Sequence, residues 1–275
     1  MTTAPRYAVN CSLLFRELPM LERPAAARAA GFDAIEFWWP WATPVVSRAE
    51  LDAFVTAVGD AGVLLSALNF FAGDLFGPDC GVASVPARAG EFRENVALAI
   101  ELGGRLGTRR FNALFGNRVE GADPAEQDEL GVESLIAAAA AARAIDGIVM
   151  VEPVSGAKPY PLRTAADAMA IVERVRREGA TENIGLLADF FHLASNGDSV
   201  PAAIRAYGSD IAGVQIADAP GRHEPGTGKL DLRGWTQQLL AGGYDGWIGL
   251  EYVPSAASAD SFGWLPTEQR AAIAR

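Results

Sequence analysis

The strongest constraint on this chain is an alternation of two textures. Eight short runs rich in apolar and β-branched residues recur along it, at 7–11, 34–37, 63–68, 109–114, 148–152, 184–189, 211–216 and 247–251. Longer runs rich in Ala, Leu, Arg and Glu separate them, at 21–30, 48–61, 89–102, 124–145, 164–177, 200–207 and 232–240, and a last helical stretch is expected near 262–274. Most long runs close on glycine, the residue that tolerates the left-handed turn after a helix: Gly31, Gly62, the Gly103-Gly104 pair, Gly147, Gly179 and the Gly242-Gly243 pair. Thr164 stands where an N-cap belongs. The alanine run 137–142 reads as strong helix propensity on a packed outer helix.

Short and long runs at this spacing argue for parallel βα units. Eight such units in 275 residues match one closed (β/α)8 barrel, a TIM barrel, occupying 1–275 as a single domain. The competing architecture, an open doubly wound sheet, would carry a glycine-rich phosphate loop after its first strand. Here the first strand runs into SLLFRELP, which has no glycine, and no Pro-, Gly- or Ser-rich linker divides the chain.

Charge and cysteine usage exclude several classes. Acidic residues outnumber basic ones, 34 to 23, for a net charge of −11, which argues against a nucleic-acid partner. Cys11 and Cys80 form no CxxC pair, so a zinc ribbon is excluded. The opening MTTAPRYAVNCS lacks an apolar targeting core, and no uncharged apolar run reaches the ~18 residues a membrane span needs. The expectation is a cytoplasmic enzyme with reduced cysteines and no membrane partner.

Barrel active sites form where strands end. Strand five ends in IVMVEP with Glu152. Strand six ends in GLLADFFH with Asp189 and then His192. Strand seven carries GVQIADAP with Gln215 and Asp218, and strand eight ends in WIGLEYVP with Glu251. The intervals of 37, 26 and 36 residues are each about one βα unit, so four consecutive strands bring an oxygen-bearing side chain to one mouth. Three converging carboxylates repel unless protonated or joined by a cation. Oxygen donors with one nearby histidine suit Mg²⁺, then Mn²⁺, better than Zn²⁺. On spacing alone Gln215 is the weakest member, because a lone Gln in a strand often only completes a hydrogen-bond pattern.

Other polar residues are read for substrate contact. Asn69 ends the third strand, and His192 follows Asp189. The loop ADAPGRHEPGTGKLD holds Arg222, His223 and Glu224 among prolines and glycines, and its Arg is suited to reading an anionic substrate. Glu36, in AIEFWWPW, either lines the mouth or pairs with an arginine. The aromatic run 37–41 that follows is suited to a pocket wall or to the contact of a homo-oligomer.

At these residues the chain resembles the hydroxypyruvate isomerase family, within the wider xylose-isomerase-like barrels. NCSLLFRELP, AARAAGFDAIEFWWPW, FFAGD with GVASVPARAGEFRENV, VQIADAPGRHEPGTG and GWIGLEYVP carry the resemblance over almost the whole chain. It implies that Glu152, Asp189, Gln215 and Glu251 are the metal ligands, with Glu152 and Glu251 also moving protons. Gln at the third ligand is typical of that family, where sister sugar isomerases and epimerases more often carry His. The chain departs from the family pattern at Val154-Ser155, Ala188, Lys229 and Val253.

The implied activity is an aldose–ketose isomerisation through an enediolate, hydroxypyruvate to tartronate semialdehyde, with a metal acting as Lewis acid and the two glutamates as general base and acid. The departures keep a larger sugar or sugar acid open as substrate. A metal-dependent abasic-site nuclease on the same barrel would need many histidine ligands, and the chain has two. A barrel without catalysis would not need the carboxylates at the mouth.

Overall fold

The computed structural model describes residues 4–271 except residue 158. Eight parallel strands close into a barrel in chain order. They are β1 (Arg6–Asn10), β2 (Ala34–Phe37), β3 (Leu64–Asn69), β4 (Arg110–Ala113), β5 (Ile148–Val151), β6 (Ile184–Asp189), β7 (Ile211–Ile216) and β8 (Trp247–Leu250). Closure comes from β8 lying beside β1, with Arg6 opposite Trp247 and Val9 opposite Leu250. The register slips once between Ile35 and Glu36 on β2, and once between Leu186 and Leu187 on β6. Such irregularities re-aim the side chains that follow them, and here Glu36 and Asp189 both lie beyond a slip.

The outer layer comprises α1 (Arg23–Ala29), α2 (Arg48–Ala61), α3 (Ala89–Leu106), α4 (Pro124–Arg143), α5 (Ala165–Gly179), α6 (Phe190–Ser195), α7 (Val200–Tyr207) and α8 (Leu232–Ala241). Local chemistry explains their starts. Ser47 and Glu50 form a capping box on α2, and Thr164 and Asp167 form one on α5. Asp123 caps α4, with a proline at the first position. The alanine run lies on α4 as expected, with Ala138, Ala139 and Ala142 fully buried.

Three expectations are corrected. The helix read as 89–102 continues to Leu106 and closes on Gly107 in the left-handed conformation. Gly103 is there for packing: a Cβ on it would stand 2.4 Å from the ring of Phe111. Burial of such a ring contributes about 1.5–3 kcal/mol, and a side chain at 103 would displace it. Second, the link between β6 and β7 holds two helices, because α6 begins directly on Asp189. Third, no α-helix follows β8 among the described residues. The chain there makes two single-turn 3-10 helices, Ser258–Phe262 and Thr267–Gln269, and residues 272–275 of the expected helix lie outside the described part. Phe262 anchors this segment among Phe15, Phe32 and Tyr252.

Cys11 is buried, Cys80 is half-buried, and both are free thiols. Among the described residues no helix is long and apolar enough to cross a membrane.

Candidate active site

The strands deliver the expected residues to one mouth. Glu152 follows β5, Asp189 ends β6, Gln215 lies within β7 and Glu251 follows β8, and none is more than 3 % exposed. Each is held by a specific partner. Asp189 Oδ1 accepts the backbone N–H groups of Phe191 at 2.7 Å and His192 at 3.1 Å, so this carboxylate is also the N-cap of α6. Its Oδ2 is buried with no hydrogen-bond partner among the described residues. Gln215 donates from Nε2 to Glu36 Oε1 at 2.8 Å, and its Oε1 is likewise buried and unpartnered. Asn112 donates to Glu152 Oε2 at 2.6 Å. Glu251 accepts from Asn10 at Oε2, 2.9 Å, and from the Arg222 guanidinium at Oε1, 2.7 Å.

His192 stands beside this group, its Nε2 3.8 Å from Glu152 Oε1 and 3.7 Å from Asp189 Oδ2. One ligand atom from each of Glu152, Asp189 and His192 lies within 4.8 Å of the others, a spacing that could hold a metal ion. The tautomer argues against the histidine as a ligand. Its Nδ1 takes the Ser155 backbone N–H at 3.0 Å, which requires a lone pair on Nδ1. A neutral ring then carries its proton on Nε2 and faces the carboxylates as a donor. Burial keeps the ring neutral by pushing its pKa down to about 4, against the pull of Asp189.

The carboxylates show the opposite shift. Burial, then repulsion from Asp189, raises Glu152 to about 8. Burial raises Glu36 to about 7, opposed by hydrogen bonds from Gln215 and Asn10. Glu251 is pushed well above the ordinary carboxylate range by burial, with Arg222 opposing. Glu36 and Glu152, poised this way, can hold and release protons near neutrality.

Glu152, Glu251, His192, Arg222 and Asn69 line a cavity of about 160 Å³, walled on one side by Trp38. Arg222 is its one Arg or Lys among the described residues. Its backbone is in the left-handed conformation, φ 58°, its carbonyl is held by the Val253 N–H, and its guanidinium lies 5.5 Å over the Phe191 ring. A larger groove of about 490 Å³ adjoins the cavity, sharing Trp38, Leu75 and Asp79 with it.

Not every candidate converges here. Glu224 turns to Ser255, whose backbone N–H it accepts at 3.0 Å, and is absent from the cavity lining. His223 pairs through Nδ1 with the Val253 carbonyl at 2.7 Å. Asp218 takes the backbone N–H groups of Ala219, Gly226 and Leu230 and so braces the loop that carries Arg222. Lys229 is exposed, and its backbone holds the Ala219 carbonyl. Glu36 makes its side-chain bonds to Asn10 and Gln215 rather than to an arginine. The aromatic run divides: Trp38 faces the cavity, while Trp39 and Trp41 meet at a tilt of 57°, Trp41 resting on Phe54 of α2. Sequence reasoning missed Asn10 and Asn112. Asn10 ends β1 and Asn112 is the last residue but one of β4, so the rule that found the carboxylates also points to them.

The family profile described as xylose isomerase-like TIM barrel matches residues 24–268. The chain belongs to the xylose isomerase-like TIM-barrel family. A Streptomyces coelicolor protein provisionally named hydroxypyruvate isomerase is 50% identical over 97% of this chain and 98% of its own length. A Cupriavidus necator protein named 2-oxo-tetronate isomerase is 34% identical, covering 95% of this chain and 97% of its own. Among solved structures, a Brucella melitensis protein named as a family 2 AP endonuclease superposes with a TM-score of 0.84 at 29% identity, covering 94% of this chain and 97% of its own. By its kinship with the named isomerases the chain is an isomerase of the intramolecular oxidoreductase type.

Proposed function

We propose that this chain interconverts hydroxypyruvate and tartronate semialdehyde, with a divalent cation, Mg²⁺ before Mn²⁺, held by Glu152, Asp189, Gln215 and Glu251. In this reading it is a cytoplasmic enzyme of small-carbohydrate metabolism whose single domain spans the whole chain. The single observation that carries the reading is the pair Glu152 and Glu251, both buried in the lining of one cavity whose one guanidinium among the described residues is Arg222.

The residues fit a cation. Asp189 Oδ2 and Gln215 Oε1 are buried acceptors without hydrogen-bond partners among the described residues, and an unsatisfied buried acceptor costs about 1–3 kcal/mol unless something meets it. The donor set is all oxygen, which suits a hard cation. A cation bound there would supply Lewis-acid stabilisation of negative charge developing on the substrate oxygens.

The reaction moves one proton from the hydroxymethyl carbon to the neighbouring carbonyl carbon, and one from the hydroxyl oxygen to the carbonyl oxygen. Glu152 and Glu251 both line the cavity, one to take the carbon-bound proton and the other to return one. The Arg222 guanidinium is suited to the substrate carboxylate. The Nε2–H of His192 and the Asn69 amide are placed to orient substrate oxygens. The cavity, below the ~300 Å³ at which pockets for drug-sized ligands begin, suits a substrate of three or four carbons.

A second reading is an isomerase or epimerase of a longer sugar acid on the same site. The adjoining groove supports it, since a longer chain could extend past Trp38, and so does the kinship with the 2-oxo-tetronate isomerase. The nuclease name of the Brucella melitensis protein finds less support: His192 has its Nδ1 occupied and His223 is tied to Val253. Turnover rates over a panel of three- to six-carbon hydroxy-carbonyl compounds test the choice. Hydroxypyruvate should give the highest kcat/KM, and a preference for four-, five- or six-carbon compounds would refute it.

A further inference from the structure

Gln215 poses a problem that its carboxylate neighbours do not. A carboxylate offers oxygen whichever way it turns. An amide offers oxygen on one side and an NH₂ group on the other, and only the oxygen can hold a cation. Something must decide which side faces the site.

Glu36 is placed to decide it. Its Oε1 accepts Gln215 Nε2 at 2.8 Å and Asn10 Nδ2 at 2.9 Å. This oxygen already accepts two amide N–H groups, so it selects the NH₂ side of Gln215 and leaves Gln215 Oε1 for the site. The same Asn10 Nδ2 reaches Glu251 Oε2 at 2.9 Å, which links Glu36 to a second ligand. The strands make room for this arrangement. The register slip between Ile35 and Glu36 aims the side chain inward. On β8, Gly249 leaves the space, since a Cβ there would lie 2.5 Å from Glu36 Oε1. Burying a carboxylate against two neutral amides is costly, and packing alone gives no reason for it.

We infer that Glu36 is a positioning residue that turns the Gln215 amide so that its oxygen faces the cation, and that Gly249 exists to admit it. This rests on the cation site proposed above.

The test is Mn²⁺ affinity of metal-stripped protein, read by titration calorimetry and electron paramagnetic resonance. Glu36→Leu removes the acceptor and should weaken Mn²⁺ binding about 10–100-fold, the range for losing a residue that orients a ligand. Glu36→Gln keeps an oxygen for Gln215 Nε2 and should stay within about threefold. In a Gln215→Ala background, where no ligand amide remains to orient, Glu36→Leu should cost less than about threefold, whereas a merely structural role would cost the same in both backgrounds. Equal losses in the two backgrounds, or unchanged affinity in Glu36→Leu, overturn the inference while leaving the cation site standing. No Mn²⁺ binding by the unsubstituted protein overturns both. Should Glu36→Leu fail to fold, Gly249→Ala presses on the same carboxylate from β8. It should weaken Mn²⁺ about tenfold, and unchanged affinity there overturns the inference as well.

Discussion

Replacing Glu251 by Gln keeps the side chain's shape and removes one charge and one acceptor. In the native site both oxygens are used: Oε1 accepts from Arg222 at 2.7 Å and Oε2 from Asn10 at 2.9 Å. An amide supplies one acceptor, so one of these donors must face an NH₂ group. Asn10 cannot relieve the conflict by turning over, because its own Oδ1 accepts the Ser12 N–H at 3.0 Å. The lost charge-assisted bond costs about 1.5–3 kcal/mol. Removal of a buried charge offsets part of that, so the fold should survive with a change in stability of no more than ~3 kcal/mol. Activity should fall further. Loss of a general acid or base lowers the rate about 10²–10⁴-fold, equivalent to ~3–5 kcal/mol of barrier. The assay is turnover of hydroxypyruvate alongside deuterium uptake from heavy water, both followed by proton magnetic resonance. If Glu152 takes the carbon-bound proton, the variant should still exchange deuterium while failing to convert substrate. If Glu251 takes it, both should disappear. Turnover within about tenfold of the unsubstituted protein, with full exchange, would refute the assignment of proton transfer to this residue.

Other consequences follow from the same geometry. Arg222→Met should raise KM for the acid substrate roughly 10–100-fold, the loss of one charge-assisted contact, and leave an uncharged hydroxy-carbonyl compound of equal length unaffected; an equal effect on both would show that Arg222 does not read the carboxylate. The metal-free protein should lose stability as pH rises from about 6.5 to about 8. Folded Glu36 and Glu152 keep their protons to about 7 and 8, whereas the unfolded chain releases them near 4.5, so deprotonation favours unfolding across that window. His192 acts in the opposite sense, its stabilising contribution growing as pH rises from about 4 to 6.5 and complete above that. Mn²⁺ replaces the protons, so its stabilising effect should grow over the same window. Thermal midpoints with and without metal check both statements, and a metal-free midpoint that rises between pH 6.5 and 8 would contradict them.

Much of the fold was legible because barrel strands are buried on both faces and read as short apolar runs between turn residues. β2, β6 and β7, and the helices α2 and α7, begin and end where the pattern places them. Glycine misled the reading of α3. Gly103-Gly104 looks like a helix stop in sequence, but Gly103 accommodates the Phe111 ring, and only the packing of β4 beneath it shows that. α6 was hidden because its six residues carry too short a pattern to read, and because its cap is Asp189, a residue already assigned to the site. The convergence of Glu152, Asp189, Gln215 and Glu251 was legible from strand-end spacing. The roles of Glu36, Asn10 and Asn112 were not, since they depend on which side-chain atoms meet across strands distant in sequence. Glu224 illustrates the converse: its loop reaches the mouth, but the nearby Ser255 draws its carboxylate away from the cavity.

The central claim is that four side chains from β5, β6, β7 and β8 hold one cation beside the reacting substrate. The most direct measurement is anomalous X-ray diffraction at the manganese edge from crystals equilibrated with Mn²⁺. One strong peak is expected, bounded by Glu152, Asp189, Gln215 Oε1 and Glu251, with Arg222 withdrawn from Glu251. A peak coordinated by His192 Nε2 in place of Gln215, or no peak at the mouth, would contradict it.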